Sequence, residues 1–229
     1  MSFEAQQIEP PDQGNLSART YVSLRNALVA GRFRPGERLV MRDLAEKIGA
    51  SVTPVREACL RLVSEQALEL RSGRFVTVPD LTLSRYIEIR TIRLALEGLA
   101  AEMAASRMTP AMIDKLEMLH EQFATAEKAG NADLAMTRNR EFHFLLYGAA
   151  GMAMLLGQIE SLWISMGPIL NVFYTDMHPT YVGGEEHLSL MKALRRRDGR
   201  AARTAIEQDI LRGGESIIAY LEAQEAEKN

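Results

Sequence analysis

Met41-Arg42-Asp43-Leu44-Ala45-Glu46-Lys47-Ile48-Gly49-Ala50-Ser51-Val52-Thr53-Pro54-Val55-Arg56-Glu57-Ala58 predicts two short helices joined by a tight turn. Leu44, Ala45 and Ile48 fall at helical spacing, and Gly49 stands where a helix C-terminus takes up positive φ. A second helix starts at once. Thr53 is expected to cap its free backbone N–H groups, and Pro54 suits the first helical position, where its missing N–H would be unpaired anyway. Val55, Cys59, Leu62 and Gln66 share one face of this helix, and three of the four are fit to pack inward.

A helix, a glycine-bearing turn and a second helix with a polar tip form the helix-turn-helix pattern. Arg56 lies just off the apolar line, near the N-terminus, where a recognition helix meets base edges. By spacing alone, an ordinary helix pair in a larger bundle fits as well. On the upstream side, residues 1–14 lack apolar periodicity and are read as a mobile arm. A helix over about residues 18–30 follows, with Ser17 as its cap, Val22, Leu24 and Leu28 as packing residues, and Gly31 as its end. Residues 33–39 are read as the turn into the first helix of the motif. Downstream, Leu68-Glu69-Leu70-Arg71, Ser72-Gly73-Arg74 and Phe75-Val76-Thr77-Val78 predict a hairpin. A hairpin behind a helix-turn-helix is a wing, and its Gly73-Arg74 tip is placed to reach a phosphate or the minor groove. Pro79 and Asp80 mark a boundary, so a unit at 15–79 is expected to precede one at 81–225.

The charge follows that division. The chain has 229 residues and a formal charge of -3, which by itself argues against a nucleic-acid binder. Residues 15–79, however, hold 11 Lys/Arg against 6 Asp/Glu, while residues 80–229 hold 16 against 21. A basic front and an acidic back are expected when only the front meets phosphate. The single cysteine, Cys59, excludes an internal disulfide, fits a reducing compartment, and reads as a small core residue rather than a reactive thiol. No uninterrupted apolar run reaches the ~18 residues of a membrane span and no signal segment is evident, so a cytoplasmic protein without a membrane partner is expected.

Beyond residue 80 the periodicity is helical throughout. Six segments are predicted, at about 81–107, 110–129, 131–149, 152–175, 185–197 and 199–225, separated by Thr109-Pro110, Gly130, Gly151, Gly183-Gly184 and Gly199. The fold class is therefore mainly α, a winged helix-turn-helix followed by an all-α bundle of about six helices.

Gly31-Arg32-Phe33-Arg34-Pro35-Gly36-Glu37-Arg38-Leu39, the Asp-Leu-Ala helix at 43–45 and Thr53-Pro54-Val55-Arg56-Glu57-Ala58 together resemble the N-terminal domain of GntR-family transcription regulators. The helical half is similar to the FCD effector domain of the FadR branch. That resemblance is carried by Arg90-Thr91-Ile92-Arg93-Leu94-Ala95-Leu96-Glu97-Gly98, Asn139-Arg140-Glu141-Phe142-His143, and Glu186-His187 followed by Ala193-Leu194 and Asp198-Gly199. It implies a homodimeric, ligand-responsive regulator, in the commoner family mode a repressor, whose two winged domains read a palindrome in double-stranded DNA. By position, Arg42, Ser51, Thr53, Arg56, Gly73 and Arg74 are the implied DNA contacts. Val52 departs from the arginine usual there, which implies an altered half-site.

The resemblance also implies a divalent metal inside the bundle. Many FCD domains hold one with an Asp and three His. Here the histidines match His143 and His187, the carboxylate position holds Asn139, and the last histidine position holds Asp209. Two imidazoles, a carboxylate and an amide oxygen suit Zn²⁺, Ni²⁺ or Mn²⁺ with open positions. Neutral imidazoles are required, so binding is expected to weaken as pH falls through the ~6.5 of an ordinary histidine. The other reading makes the two histidines direct hydrogen-bond partners of an effector. Arg93 either faces that effector, a small organic acid, or pairs with Glu97 four residues on. A metal-dependent hydrolase built on His143, His187 and Asp209 is the alternative function; it leaves the winged helix unexplained.

Overall fold

The computed structural model describes residues 14–177 and 184–228. The expectation of an arm at 1–14 falls, apart from Gly14, outside them. The described residues divide into two compact units, one built on 14–27 and 36–79 and the other on 28–35, 80–177 and 184–228.

In the first unit, α1 (Gly14–Val29), α2 (Met41–Ile48) and α3 (Val52–Ser64) accompany a three-stranded antiparallel sheet. The turn at Gly49 is as expected, left-handed at φ 69, with its N–H bonded to carbonyls of the last turn of α2. Val55, Cys59 and Leu62 are fully buried. Gln66 falls beyond the end of α3, at φ 58.

Four local expectations are corrected, at Ser17, Val22, Thr53 and Pro54. α1 begins before Ser17, whose hydroxyl donates to Glu57 on α3 instead of capping. Val22 is half exposed, so Tyr21, Leu24 and Leu28 supply the buried face. α3 begins at Val52 with Ser51 in the cap position, and no side-chain oxygen there accepts a backbone hydrogen. Pro54 is thus third in the helix, still in the first turn, where N–H groups lack intrahelical partners.

The predicted hairpin forms from β2 (Glu69–Ser72) and β3 (Phe75–Thr77), with an irregularity between Leu70 and Ser72. The segment read as a turn contributes a further strand, β1 (Arg38–Val40), paired with β3 so that Leu39 faces Val76. Three residues are too few to show alternation, and tertiary pairing alone makes them a strand.

The second unit contains α4 (Leu83–Ala105), α5 (Pro110–Lys128), α6 (Ala132–Ala149), α7 (Ala153–Val172), α8 (Gly184–Arg195) and α9 (Gly199–Lys228). The helix starts follow the sequence signals. The Thr109 side chain accepts from the Met112 N–H with Pro110 at the first position, and the Asn131 side chain accepts from Leu134. α7 continues into a π-helical turn, Phe173–Met177. The stretch Ala153–Met177 is, against the expectation, long and apolar enough to cross a membrane by length and composition. The reason for its composition is local: Ile159, Trp163, Ile164 and Met166 lie in the bundle's core. That core is lined by alanines of α4 (Ala100, Ala101, Ala104, Ala105) and Ala202 of α9, small residues that let these two helices approach closely.

Candidate DNA-contact and metal sites

In the first unit, Ser51, Val52, Thr53 and Arg56 are exposed along the N-terminal end of α3. Arg42, on α2, is exposed and lies 3.7 Å from Glu46. Gly73 and Arg74 form the tip between β2 and β3. The structure draws helix and wing together, since a Cβ on Gly73 would lie 3.6 Å from Arg56 Nη1. Arg38, Arg56, Ser72, Gly73, Arg74 and Phe75 line one crevice. Arg38 carries no signal of its own in the sequence, where its segment reads as a turn. Its guanidinium rests 3.9 Å from the centroid of the Phe75 ring, diagonally across the β1–β3 pair, in which Arg38 faces Thr77 and Phe75 faces Val40. Among the described residues no carboxylate pairs with Arg38, Arg56 or Arg74.

In the second unit, α6, α8 and α9 bring His143, His187 and Asp209 to one place, each with a donor atom within 4.8 Å of the others. His143 Nε2 lies 3.5 Å from Asp209 Oδ2, and His187 Nε2 lies 3.9 Å from Asp209 Oδ1. Both histidines are buried, and His187 Nε2 has no hydrogen-bond partner. Burial, with Arg93 adding to it, pushes the His143 imidazolium down to about 3. Burial does the same to His187, helped by its histidine neighbours, so both rings are neutral. Burial also raises the Asp209 carboxyl to about 7; Arg93 opposes this, while Glu97 and Glu186 add to it. Two neutral imidazoles and a carboxylate around an unpartnered buried nitrogen are a donor set that fits a divalent metal.

Asn139, one turn before His143, lines the adjoining cavity of about 70 Å³ together with Arg93, His143, Trp163 and Asp209. Arg93 both lines the cavity and is held by Glu97, through Nε at 2.6 Å and Nη2 at 3.2 Å. Its guanidinium also lies 5.2 Å from the Trp163 ring centroid.

Sequence reasoning missed the groups behind the ligands. Trp163 Nε1 donates to Glu97 at 3.0 Å, Tyr147 Oη donates to Glu97, and Tyr147 Oη lies 3.1 Å from His143 Nδ1. His120 of α5 sets its Nδ1 3.3 Å from His187 Nδ1, and Phe142 stacks on the His187 ring at 4.0 Å. The signals for it in the sequence are the four-residue spacings of Arg93 with Glu97 and of His143 with Tyr147.

Comparison with known proteins agrees with both units. Residues 88–212 match the FCD domain, and residues 16–78 match the bacterial regulatory proteins of the gntR family. The chain is 34% identical over 198 residues to the HTH-type transcriptional regulator McbR of Escherichia coli K12, spanning 85% of this chain and 89% of McbR. It is 27% identical over 212 residues to the HTH-type transcriptional repressor RspR of the same organism, with 92% of each chain covered. Among solved structures, E. coli McbR/YncC superposes with a TM-score of 0.81 at 33% identity, over 91% of this chain and 98% of that one. A putative GntR regulator from Rhodococcus sp. RHA1 shares the fold, with a TM-score of 0.70 at 20% identity over the same shares. McbR and RspR are named HTH-type transcription regulators, which lends no support to a hydrolase. The chain therefore belongs to the gntR family of bacterial regulatory proteins, as a ligand-responsive, DNA-binding transcription regulator with an FCD domain.

Proposed function

We propose that the chain is a cytoplasmic, homodimeric repressor that binds a palindromic operator and answers to a compact organic acid. The carrying observation is the crevice between α3 and the wing, where Arg38, Arg56 and Arg74 converge without a paired carboxylate. Guanidinium groups without carboxylate partners, Arg56 on the recognition helix and Arg38 and Arg74 on the sheet and wing beside it, suit base edges and phosphates. Residues 15–79 form the DNA-binding domain, with Arg42, Ser51, Thr53 and Arg56 at the major groove and Gly73 and Arg74 at the backbone. Two copies set two recognition helices on one palindrome. The likeness to RspR, named a repressor, supports the sign of regulation.

Residues 81–225 form the effector-binding and dimerisation domain. His143, His187 and Asp209 hold a divalent metal, Zn²⁺, Ni²⁺ or Mn²⁺, with the Asn139 amide oxygen as a further donor from the same cavity. The metal supplies a Lewis-acidic anchor for an anionic oxygen of the effector, and Arg93 adds positive charge on the cavity wall. A cavity of about 70 Å³ suits a small acid better than an extended one. Selection from random duplexes by the full chain tests the DNA half. A palindrome whose half-site differs from the family's usual one, as Val52 implies, is expected. Recovery of no common sequence would refute operator binding, and recovery of the common family half-site would refute the role given to Val52.

A further inference from the structure

We propose that Glu97 and Tyr147 act as positioning residues that lock His143 in the tautomer carrying its proton on Nδ1, so that Nε2 faces Asp209 as a bare lone pair. A count of donors leads to this tautomer. Glu97 is fully buried, and each neighbour that bonds it has a proton to give. Its Oε1 accepts from Arg93 Nε at 2.6 Å and Trp163 Nε1 at 3.0 Å, and its Oε2 accepts from Arg93 Nη2 at 3.2 Å and from Tyr147 Oη. Arg and Trp side chains donate only, so nothing there calls for a proton on the carboxylate. Tyr147 has one hydroxyl proton, and the contact with Oε2 commits it. Toward His143 Nδ1, 3.1 Å away, the same oxygen is then left as an acceptor. The ring proton must sit on Nδ1.

This chain of hydrogen bonds runs from α4 through two residues of α6, and its direction is set at the end where Arg93 and Trp163 hold Glu97. Its consequence lies at the other nitrogen. Nε2 is 3.5 Å from Asp209 Oδ2 and has no proton to offer it, so with Asp209 ionised the two groups face each other as acceptors. A cation resolves that arrangement without moving either side chain. Removing the partner that orients a ligating histidine typically costs about 10–100-fold in metal affinity. The bearing on metal rests on the reading proposed above, whereas the tautomer stands independently of it.

The test uses full-length, chelator-treated protein labelled with ¹⁵N-histidine. The chain has 4 histidines, and a His143→Gln variant identifies the resonances of His143 by their loss. Long-range ¹H–¹⁵N correlation is expected to show His143 protonated on Nδ1 alone; a proton on Nε2 would overturn the proposal whether or not the protein binds metal. In Tyr147→Phe, Nδ1 loses its acceptor while the ring stays in place. A mixture of tautomers is expected there, with Zn²⁺ affinity, read by competition with a chromophoric chelator, lower by about 10–100-fold. An unchanged tautomer in this variant would overturn the assignment to Tyr147. Glu97→Gln supplies a second arm that does not depend on that variant's folding. Its amide N–H₂ donates to Tyr147 and reverses the chain, so the proton should move to Nε2 of His143. A wild-type protein that ignores Zn²⁺ yet shows the Nδ1–H tautomer would refute the metal reading and leave the lock standing.

Discussion

Metal binding to the second unit should appear as a rise in melting temperature, with a size set by mass action and a pH dependence that follows from the burial of Asp209. His143, His187 and Asp209 already converge within 4.8 Å, so little ordering opposes binding. At free Zn²⁺ 100-fold above its dissociation constant, binding to the folded state alone stabilises by about 2.7 kcal/mol. For a chain of this length that is a rise of roughly 5–10 °C. The sequence alone points to histidine protonation near 6.5 as the competitor. The structure reassigns it: burial keeps the His143 imidazolium near 3, whereas the buried Asp209 carboxyl holds its proton up to about 7. Since this folded-state value is raised above the ordinary carboxylate value, a proton competes with the metal below pH 7 and leaves it alone above. One competing proton weakens the apparent affinity about tenfold per pH unit, so at about pH 6 the same Zn²⁺ gives roughly half the stabilisation. Differential scanning fluorimetry of chelator-treated protein, with and without Zn²⁺, Ni²⁺ or Mn²⁺, reads both quantities. No rise with any of the three at about pH 8 refutes the metal site. A rise equal at both pH values refutes the part given to Asp209.

Arg56→Ala should weaken operator binding by ~1–3 kcal/mol, as loss of a bidentate base contact does; an unchanged gel-shift titration would remove Arg56 from the readers. Asn139→Asp places a second carboxylate on the cavity wall with Asp209, so it should lower the melting temperature of the metal-free protein and enlarge the Zn²⁺-induced rise. A rise no larger than that of the wild type would exclude position 139 from the ligand set. Burial raises the Glu127 carboxyl from 4.5 to about 7, so the folded protein holds a proton that the unfolded chain has lost, and stability should fall as pH rises across that window. Glu127→Gln should flatten that part of the profile by about 1 kcal/mol, allowing for partial solvent screening, and an identical pH profile would defeat the assignment. Cys59, fully buried with its thiol pushed up to about 11, should react with a chromogenic disulfide only on unfolding, and fast labelling of native protein would contradict its place in the core.

What is legible in the sequence is what depends on local chemistry. The left-handed Gly49 turn, the buried line Val55, Cys59 and Leu62, and the Thr109-Pro110 helix start are each specified by neighbours a few residues away. β1 is not legible, because Arg38–Val40 is a strand only by virtue of β3, which lies nearly forty residues further on. The caps at Ser17 and Thr53 fail for a related reason. A hydroxyl next to an apolar run is a competent cap, but Ser17 is claimed by Glu57 through tertiary structure, and α3 gains its first turn without a side-chain cap.

The candidate site divides along the same line. His143, His187 and Asp209 are identified through a resemblance, on three separate helices. Of the residues behind them, Glu97 lies in the quoted Arg90–Gly98 stretch, but Tyr147, Trp163 and His120 belong to no motif, because each acts through a partner that packing supplies. The two departures from the family pattern can be weighed in this light. With Asn139 and Asp209 in place of the expected Asp and His, an imidazole is lost, but the donor set still carries one carboxylate and the same formal charge. What changes is where that charge sits. A carboxylate at 139 would lie one helical turn from His143 on α6, whereas Asp209 on α9 stands between the two imidazole nitrogens, within 3.9 Å of each. On the proposed metal reading, affinity would depend on how closely α9 is held to α6 and α8, and α9 also provides Ile210, Gly213, Gly214 and Ile217 to the adjoining cavity. A ligand in that cavity that displaced this part of α9 would move Asp209 directly, so the proposed effector and metal would be coupled through one helix.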